Sequence, residues 1–201
     1  MNTTYSKDGQ KIEPQGGLSG RTALLVAVLA GGLSCRSEPP GGGVPAARTQ
    51  PRAGVSAVEP TALPTAAVAR TVYVPVYSHV DTADAARPFN LAVTLSVRNT
   101  DRAEPIFLTA VRYHDSDGRL VRDELARPLR LAPLAAAEFF VKESDTSGGS
   151  SASYLVDWQA AKPVSEPVIE AVMVGTAMNQ GVSLISPGRV VGAPARGAEG
   201  R

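Results

Sequence analysis

The chain of 201 residues has little of what marks several large protein classes. It contains a single cysteine, Cys35, and aromatic residues make up only 5% of the sequence. One cysteine excludes any disulfide within the chain. The longest apolar stretch, in residues 22–33, is well short of the roughly 20 residues that a membrane-spanning helix needs. The sequence therefore predicts neither a disulfide-stabilised domain nor a permanent membrane helix.

A strong positive charge is also missing. The formal net charge is +1, and the part predicted to fold, residues 71–192, is mildly acidic. Proteins that bind nucleic acids usually carry a basic patch or stripe. We therefore expect no nucleic-acid partner.

Signatures of catalysis and metal binding are absent from the sequence as well. It has no G-x-S-x-G nucleophile motif, no H-E-x-x-H metal motif and no phosphate-binding glycine loop. His79 and His114 do not have the spacing of a metal site. Asp115 and Asp117 before Gly118 match part of a calcium loop, but Asp-Gly is a stronger signal for a hairpin turn. We expect no catalytic residue, no metal and no cofactor.

The first 35 residues have the layout of an export signal. Basic residues precede the apolar stretch, which ends in small residues directly before Cys35. Residues 32–35, Gly-Leu-Ser-Cys, resemble a bacterial lipobox, although leucine is usual where Gly32 stands. We interpret residues 1–34 as a signal peptide and lipidated Cys35 as an anchor to the cell envelope, at the outer membrane or the outer face of the cytoplasmic membrane. The alternative is an ordinary secretory signal followed by a free thiol.

The next segment, residues 35–70, has the composition of a linker. It is rich in proline and glycine and has no aromatic residue. Such a segment buries too little apolar surface to offset the entropy lost on ordering. The sequence predicts a disordered spacer after Cys35, a folded domain over residues 71–192 and a disordered tail over residues 193–201.

Short strands are predicted throughout residues 71–192. In residues 89–99, alternate positions from Leu91 to Val97 are apolar, which is typical of a strand with one buried face. Further strands are expected at residues 71–78, 105–114, 119–122, 128–131, 137–142, 153–158 and 168–176, with a closing hairpin around Pro187-Gly188. Pro75 predicts that the first of these is an edge strand. About eight strands separated by turns indicate an all-β fold, an antiparallel β-sandwich that is immunoglobulin-like or related.

Several segments of this domain resemble one bacterial family, catalogued as a domain of unknown function, number thirty-one twenty-four in that series. The segments are residues 72–78 (VYVPVYS), 95–101 (LSVRNTD), 115–118 (DSDG), 141–149 (VKESDTSGG), 167–176 (PVIEAVMVGT) and 180–181 (QG). The resemblance implies a domain of exported proteins, often lipoproteins. It implies no activity, substrate or catalytic residue.

The polar stretch at residues 142–151, here called the 142–151 loop, is the candidate ligand-binding site. It places two carboxylates, hydroxyls and two glycines between apolar strands, and loops often carry binding residues. The predicted ligand-binding residues are Glu143 and Asp145 for direct contacts, Thr146 and Ser147 for hydrogen bonds, and Gly148 and Gly149 for backbone access. The alternative is a solvated turn whose side chains bond to its own backbone.

Together these features predict a membrane-anchored lipoprotein with a non-enzymatic binding or scaffolding domain. The expected partners are the membrane, through Cys35, and an envelope protein or glycan. The alternative is an exported hydrolase whose catalytic residues come together only in the fold; His114 beside two carboxylates in a pocket would favour it.

Overall fold

The computed structural model describes residues 53–81, 88–177 and 180–194. The predicted signal peptide, Cys35 and the linker up to residue 52 lie outside the described residues. So does the predicted tail from residue 195 onward.

The described residues form thirteen strands and two 3₁₀ helices of three residues each. The strands are β1 (Val55–Ala57), β2 (Val68–Val76), β3 (His79–Val80), β4 (Phe89–Asn90), β5 (Ala92–Arg98), β6 (Ile106–His114), β7 (Leu120–Asp123), β8 (Leu129–Leu131), β9 (Ala136–Val141), β10 (Ala152–Ala160), β11 (Val168–Ala177), β12 (Gln180–Pro187) and β13 (Arg189–Gly192). The 3₁₀ helices are Pro60–Ala62 and Gly149–Ser151. In the part of the chain that the structure covers, no helix is long and apolar enough to cross a membrane.

The strands form two main antiparallel sheets that enclose one core. The larger sheet has the order β1-β8-β6-β10-β2-β13, and β7 also pairs with β6. The smaller sheet has the order β12-β11-β5-β9, and β3 and β4 form a separate pair. Side chains from both main sheets belong to a single buried cluster. The predicted antiparallel β-sandwich is confirmed.

The period-two pattern correctly identified the buried faces. Val93, Leu95 and Val97 of β5 are fully buried. On β9, Phe139 is fully buried while its neighbour Phe140 is half exposed. Alternate strand side chains point to opposite faces, so each sheet contributes one apolar face to the core.

The predicted hairpin around Pro187-Gly188 is wrong. β12 pairs with β11 in the four-stranded sheet, whereas β13 pairs with β2 in the seven-stranded sheet. The chain therefore changes sheets at Gly188, whose N–H donates to the Ile169 carbonyl at 2.8 Å. A Cβ at Gly188 would lie 2.6 Å from Val72 Cγ1, so a glycine fits this crossing closely. Strand periodicity does not reveal which sheet a strand joins.

The prediction that Pro75 marks an edge strand is also wrong, because β2 lies between β10 and β13. The presence of a proline in this interior strand nevertheless has a structural explanation. Pairing with β13 reaches only as far as Tyr73, and Pro75 is paired with Ser153 of β10 alone. A proline is tolerated where a strand locally lacks one neighbour.

The folded region begins earlier than residue 71. Val55–Ala57 forms β1 and pairs with β8, and β2 begins at Val68. The prediction that the linker continues to residue 70 is therefore wrong at its C-terminal end. A three-residue edge strand is held mainly by backbone pairing, which leaves little hydrophobic pattern in the sequence.

Candidate functional site

The 142–151 loop connects the two main sheets. It leaves β9 of the four-stranded sheet and enters β10 of the seven-stranded sheet. It is therefore a crossing between layers, not the hairpin connection that a solvated turn would make. Phe139 at one end and Tyr154 at the other are fully buried, so both ends are fixed in the core.

Asp145 organises the first half of the loop. Its Oδ1 accepts hydrogen bonds from the Ser147 hydroxyl at 2.6 Å and the Ser147 N–H at 3.1 Å. Its own N–H donates to the Lys142 carbonyl at 2.9 Å. Local side-chain-to-backbone bonds of this kind define a turn. Asp145 and Ser147 therefore hold the loop in shape.

The two glycines attach the second half of the loop to neighbouring segments. The Gly148 carbonyl accepts from the Ser116 N–H at 3.0 Å and its hydroxyl at 3.1 Å. The Gly149 carbonyl accepts from the Ser78 N–H at 3.1 Å and its hydroxyl at 2.8 Å. Gly149 has φ 76°, a conformation that favours glycine. Both carbonyls are therefore hydrogen-bonded within the domain, and Gly148 is buried.

An ion-pair network lies beneath the loop; we call Arg122, Glu124 and Asp145 the Arg122 network. Arg122 Nε donates to Glu124 Oε1 at 2.9 Å, and Arg122 Nη1 donates to Asp145 Oδ2 at 3.3 Å. The Arg122 side chain is 14% exposed and that of Glu124 is 0% exposed. Burial alone would lower the pKa of Arg122, but the hydrogen bonds to Glu124 and Asp145 and the charge of Glu124 outweigh burial, so the pKa is raised. The network joins the loop to the segment that follows β7.

Two tyrosines pack against this network. Tyr113 and Tyr154 are paired across β6 and β10, and their ring centroids are 4.9 Å apart. The Arg122 Cζ atom lies 5.4 Å from the Tyr113 ring centroid, within range of a cation–π contact. Tyr154 Oη donates to Glu124 Oε1 at 3.2 Å. Burial, with a smaller effect from the charge of Asp145, raises the pKa of Tyr113 to about 12.

The start of the loop lines an open depression of about 400 Å³. Its lining residues are Asn90, Lys142, Glu143 and Ser144. Glu143 is exposed, as is Thr146 further along the loop. The depression therefore offers an ammonium, a carboxylate and a hydroxyl from a loop that is fixed at both ends, and an amide from Asn90 of β4.

The predicted ligand residues thus separate into two groups. Glu143 and Thr146 are at the surface, and so is Ser147, although its hydroxyl is bonded to Asp145. The other four, Asp145, Ser147, Gly148 and Gly149, make the internal bonds described above. Sequence reasoning missed Arg122 and Glu124, although an arginine and a glutamate two positions apart at a strand end were a detectable sign of a shared face.

Within the described residues, no group of three or more His, Asp, Glu or Cys side chains is arranged to hold a metal ion. His114 lies on β6, paired with Ser153, and does not line the depression. The geometry therefore adds no argument for the hydrolase alternative.

Fold and site together define an antiparallel β-sandwich domain with a rigid, polar crossing loop at one end. A family model described as "Protein of unknown function (DUF3124)" matches residues 69–191, and the chain belongs to this family. No curated protein matches the chain. A crystal structure of the Thermotoga maritima protein 1070 is 11% identical, covers 62% of this chain and 96% of its own, and aligns with a TM-score of 0.39.

One segment that carries the family resemblance has a clear structural role. The buried Asn99 side chain donates to the carbonyls of Glu104 at 2.9 Å and Ala132 at 3.0 Å. Asp101 accepts from the N–H groups of Glu104 at 2.9 Å and Ser165 at 3.0 Å. Backbone hydrogen bonds of this kind lower the pKa of Asp101. The Asn-Thr-Asp turn thereby joins three separate segments of the domain.

Replacing Asp145 with alanine tests the structural role of that residue. We expect the free energy of unfolding to fall by about 1 kcal/mol at neutral pH, the typical net value of a lost hydrogen bond. Burial opposes ionisation of Asp145, but the bonds from Ser147 and Arg122 outweigh it and lower its pKa below 3.8. Its contribution is therefore fully present above pH 3.8 and is lost as pH falls through the lower folded-state pKa. Urea unfolding of both proteins between neutral and acid pH measures the difference, and a gap that widens on acidification contradicts the assignment.

Proposed function

We propose that the protein is a lipid-anchored module of the bacterial cell envelope whose β-sandwich binds or scaffolds an envelope protein or glycan and is not an enzyme. The observation that carries the proposal is the polar depression lined by Asn90, Lys142, Glu143 and Ser144 at the start of the 142–151 loop. Binding groups are most effective when their supporting structure is rigid. The Arg122 network and the two glycine carbonyls supply that support.

The chemistry of the depression favours a polar segment of a larger partner. Small-molecule sites are usually enclosed clefts or cavities. This depression is open, and Lys142 and Asn90 supply donors while Glu143 and Asn90 supply acceptors. Such groups suit sugar hydroxyls or peptide amides. We assign Glu143 a direct contact and Thr146 a hydrogen bond, with Asp145, Ser147, Gly148 and Gly149 holding the loop in place.

The proposed location at the cell envelope is based on the sequence before the domain. An apolar stretch ends at Ser34-Cys35, and a segment rich in proline and glycine follows. A second acyl chain converts weak, reversible membrane binding into stable anchoring. A tether of this kind would hold the sandwich near the membrane while leaving the depression accessible.

Replacing Cys35 with serine tests the anchor. We expect the wild-type protein to carry lipid and to be found in the membrane fraction. The Cys35→Ser protein should lack the lipid and keep its signal peptide, because the serine hydroxyl does not accept the lipid whose attachment precedes cleavage. The apparent mass should change as well, since lipidation and cleavage at Cys35 are both lost. Fractionation of cells that produce each protein measures this. An unchanged membrane fraction with an unchanged mass contradicts the assignment.

Replacing Glu143 with glutamine tests the binding site. Affinity capture from intact envelopes should recover a protein or glycan with the wild-type chain and at least about tenfold less with Glu143→Gln, the loss expected when a charge-assisted hydrogen bond is removed. The unfolding midpoint should not change, because Glu143 is exposed.

Glu166→Gln is the matched control, since Glu166 is exposed on a different part of the domain. It should leave capture unchanged. Recovery of no partner by the wild-type chain contradicts the binding proposal. Equal loss with Glu143→Gln and Glu166→Gln contradicts the location of the site.

A further inference from the structure

The four-stranded sheet has an open edge at β9. Among the described strands, β9 pairs with β5 alone, through an unbroken register from Val93↔Val141 to Arg98↔Ala136. One side of the β9 backbone therefore has no strand partner in the described part of the chain. Such an edge is a template for pairing with another chain.

β9 has few of the features that usually protect an edge. Protective features include shortness, proline, bulges and charged side chains, above all lysine, and β9 has one charged residue, Glu138. The edge strands of the other sheet, β1, β7 and β13, have three or four residues each. β9 has six residues, AAEFFV, with no proline, lysine or bulge. The other edge of its own sheet, β12, ends in Pro187 and continues through Gly188 into the opposite sheet.

A row of side chains leads across the outward face of the sheet to this edge. Ile185, Val172, Thr94 and Phe140 are register partners on β12, β11, β5 and β9 in turn. Phe140 is 52% exposed and Ile185 is 68% exposed. Thr94 and Val172 between them are half-buried. The exposed Phe140 ring is therefore the apolar group that this open edge offers to a partner.

We propose that two copies of this chain pair through β9, antiparallel and about a two-fold axis at Phe140. The two four-stranded sheets then form one continuous sheet of eight strands. A two-fold axis places the same patch of both copies in contact. Because paired residues share a face of the sheet, Phe140 faces Phe140 of the second copy, and Glu138 faces Lys142 of the second copy.

Charge selects this register over the alternatives. Centring the axis on Glu138 would oppose two glutamates, which is unfavourable. Centring it on Phe139 would place Glu138 against Phe140 and leave Lys142 opposite Ala136. Only the axis at Phe140 combines an aromatic pair with two opposite-charge pairs. Glu138 also interacts within its own chain, and a carboxylate with two oxygens can accept from more than one donor.

Cysteine cross-linking tests the register. In a full-length Cys35→Ser background, Phe140→Cys makes the introduced cysteine the only thiol. Residues opposite each other in an antiparallel pair have Cα atoms about 4.5–5.5 Å apart, which suits a disulfide. We expect Phe140→Cys to form a covalent dimer under mild oxidation. Ile185→Cys, exposed on the same face at the opposite edge, should not. Cross-linking by Glu138→Cys in place of Phe140→Cys would overturn the register.

Charge reversal tests the pairing without a disulfide. In the same background, sedimentation should show that Lys142→Glu and Glu138→Lys each raise the dimer dissociation constant about tenfold, because each variant creates two like-charge pairs. The double variant exchanges the charges and should return to within about threefold of the parent. Circular dichroism checks that each variant folds. A parent protein that stays monomeric to about 1 mM, or a double variant weaker than both single variants, would overturn the proposal.

Discussion

Replacing Arg122 with methionine is expected to lower the free energy of unfolding by about 3–5 kcal/mol, the usual cost of removing one partner of a buried ion pair. Methionine has similar length but no charge. The Glu124 carboxylate is fully enclosed, and its Oε2 already has no hydrogen-bond partner among the described residues. Without Arg122, the Glu124 carboxyl group stays buried, and among the described residues only the Tyr154 hydroxyl still donates to it. The contact between Arg122 and the Tyr113 ring is lost as well.

The chain supplies a matched control three residues away. Arg119 pairs with Asp117 at 2.6 Å, but the two side chains are 77% and 67% exposed. Arg119→Met should therefore change stability by less than about 1 kcal/mol. Guanidinium unfolding at neutral pH measures both variants. Adding Glu124→Gln to Arg122→Met should recover part of the loss, since the buried charge is then gone while Tyr154 keeps an acceptor. Equal losses in Arg122→Met and Arg119→Met would contradict a buried network.

Local patterns were sufficient to predict the fold class. The alternation in β5 placed its apolar side chains on the buried face, because burial on one face of a strand requires a period of two. The change of sheet at Gly188 was not predictable in the same way. All four residues of β13 are exposed, so its sequence carries no buried-face pattern that would assign it to either sheet.

For the candidate site, too, part of the structure could be predicted from the sequence and part could not. The composition of the 142–151 loop identified a polar segment between two apolar strands, and its role in ligand binding stays a prediction. Which of its residues face solvent depends on residues distant in the chain. Ser78 and Ser116 donate hydrogen bonds to the carbonyls of the two glycines, and Arg122 donates a hydrogen bond to Asp145. Because those contacts are long-range, the sequence of the loop alone does not separate Glu143 from Asp145.

Gly148→Ala is the second substitution expected to have a large effect. Gly148 has φ −77° and ψ −24°, values that alanine adopts freely, so the backbone does not require glycine there. Space does. A Cβ at this position would lie 1.9 Å from Tyr113 Oη and 2.7 Å from Ala152 Cβ. Tyr113 is fully buried against Tyr154 and has little room to move. We expect the free energy of unfolding to fall by about 3 kcal/mol, at the upper end of the usual range for overpacking.

Removing the tyrosine hydroxyl should relieve the shortest contact of this clash, while the contacts with Tyr113 Cζ at 2.6 Å and Ala152 Cβ at 2.7 Å remain. Among the described residues, Tyr113 Oη makes no hydrogen bond of ordinary geometry, so Tyr113→Phe alone should cost less than about 1 kcal/mol. In the double variant Gly148→Ala/Tyr113→Phe, the nearest atom is gone, and the loss should be smaller than for Gly148→Ala alone. Gly192→Ala is the control, since a Cβ there meets no atom within 4 Å. Urea unfolding of the four variants completes a double-mutant cycle with its control. Strictly additive losses would show that the cost of Gly148→Ala does not arise at the Tyr113 hydroxyl, and that the loop is held against β6 in another way.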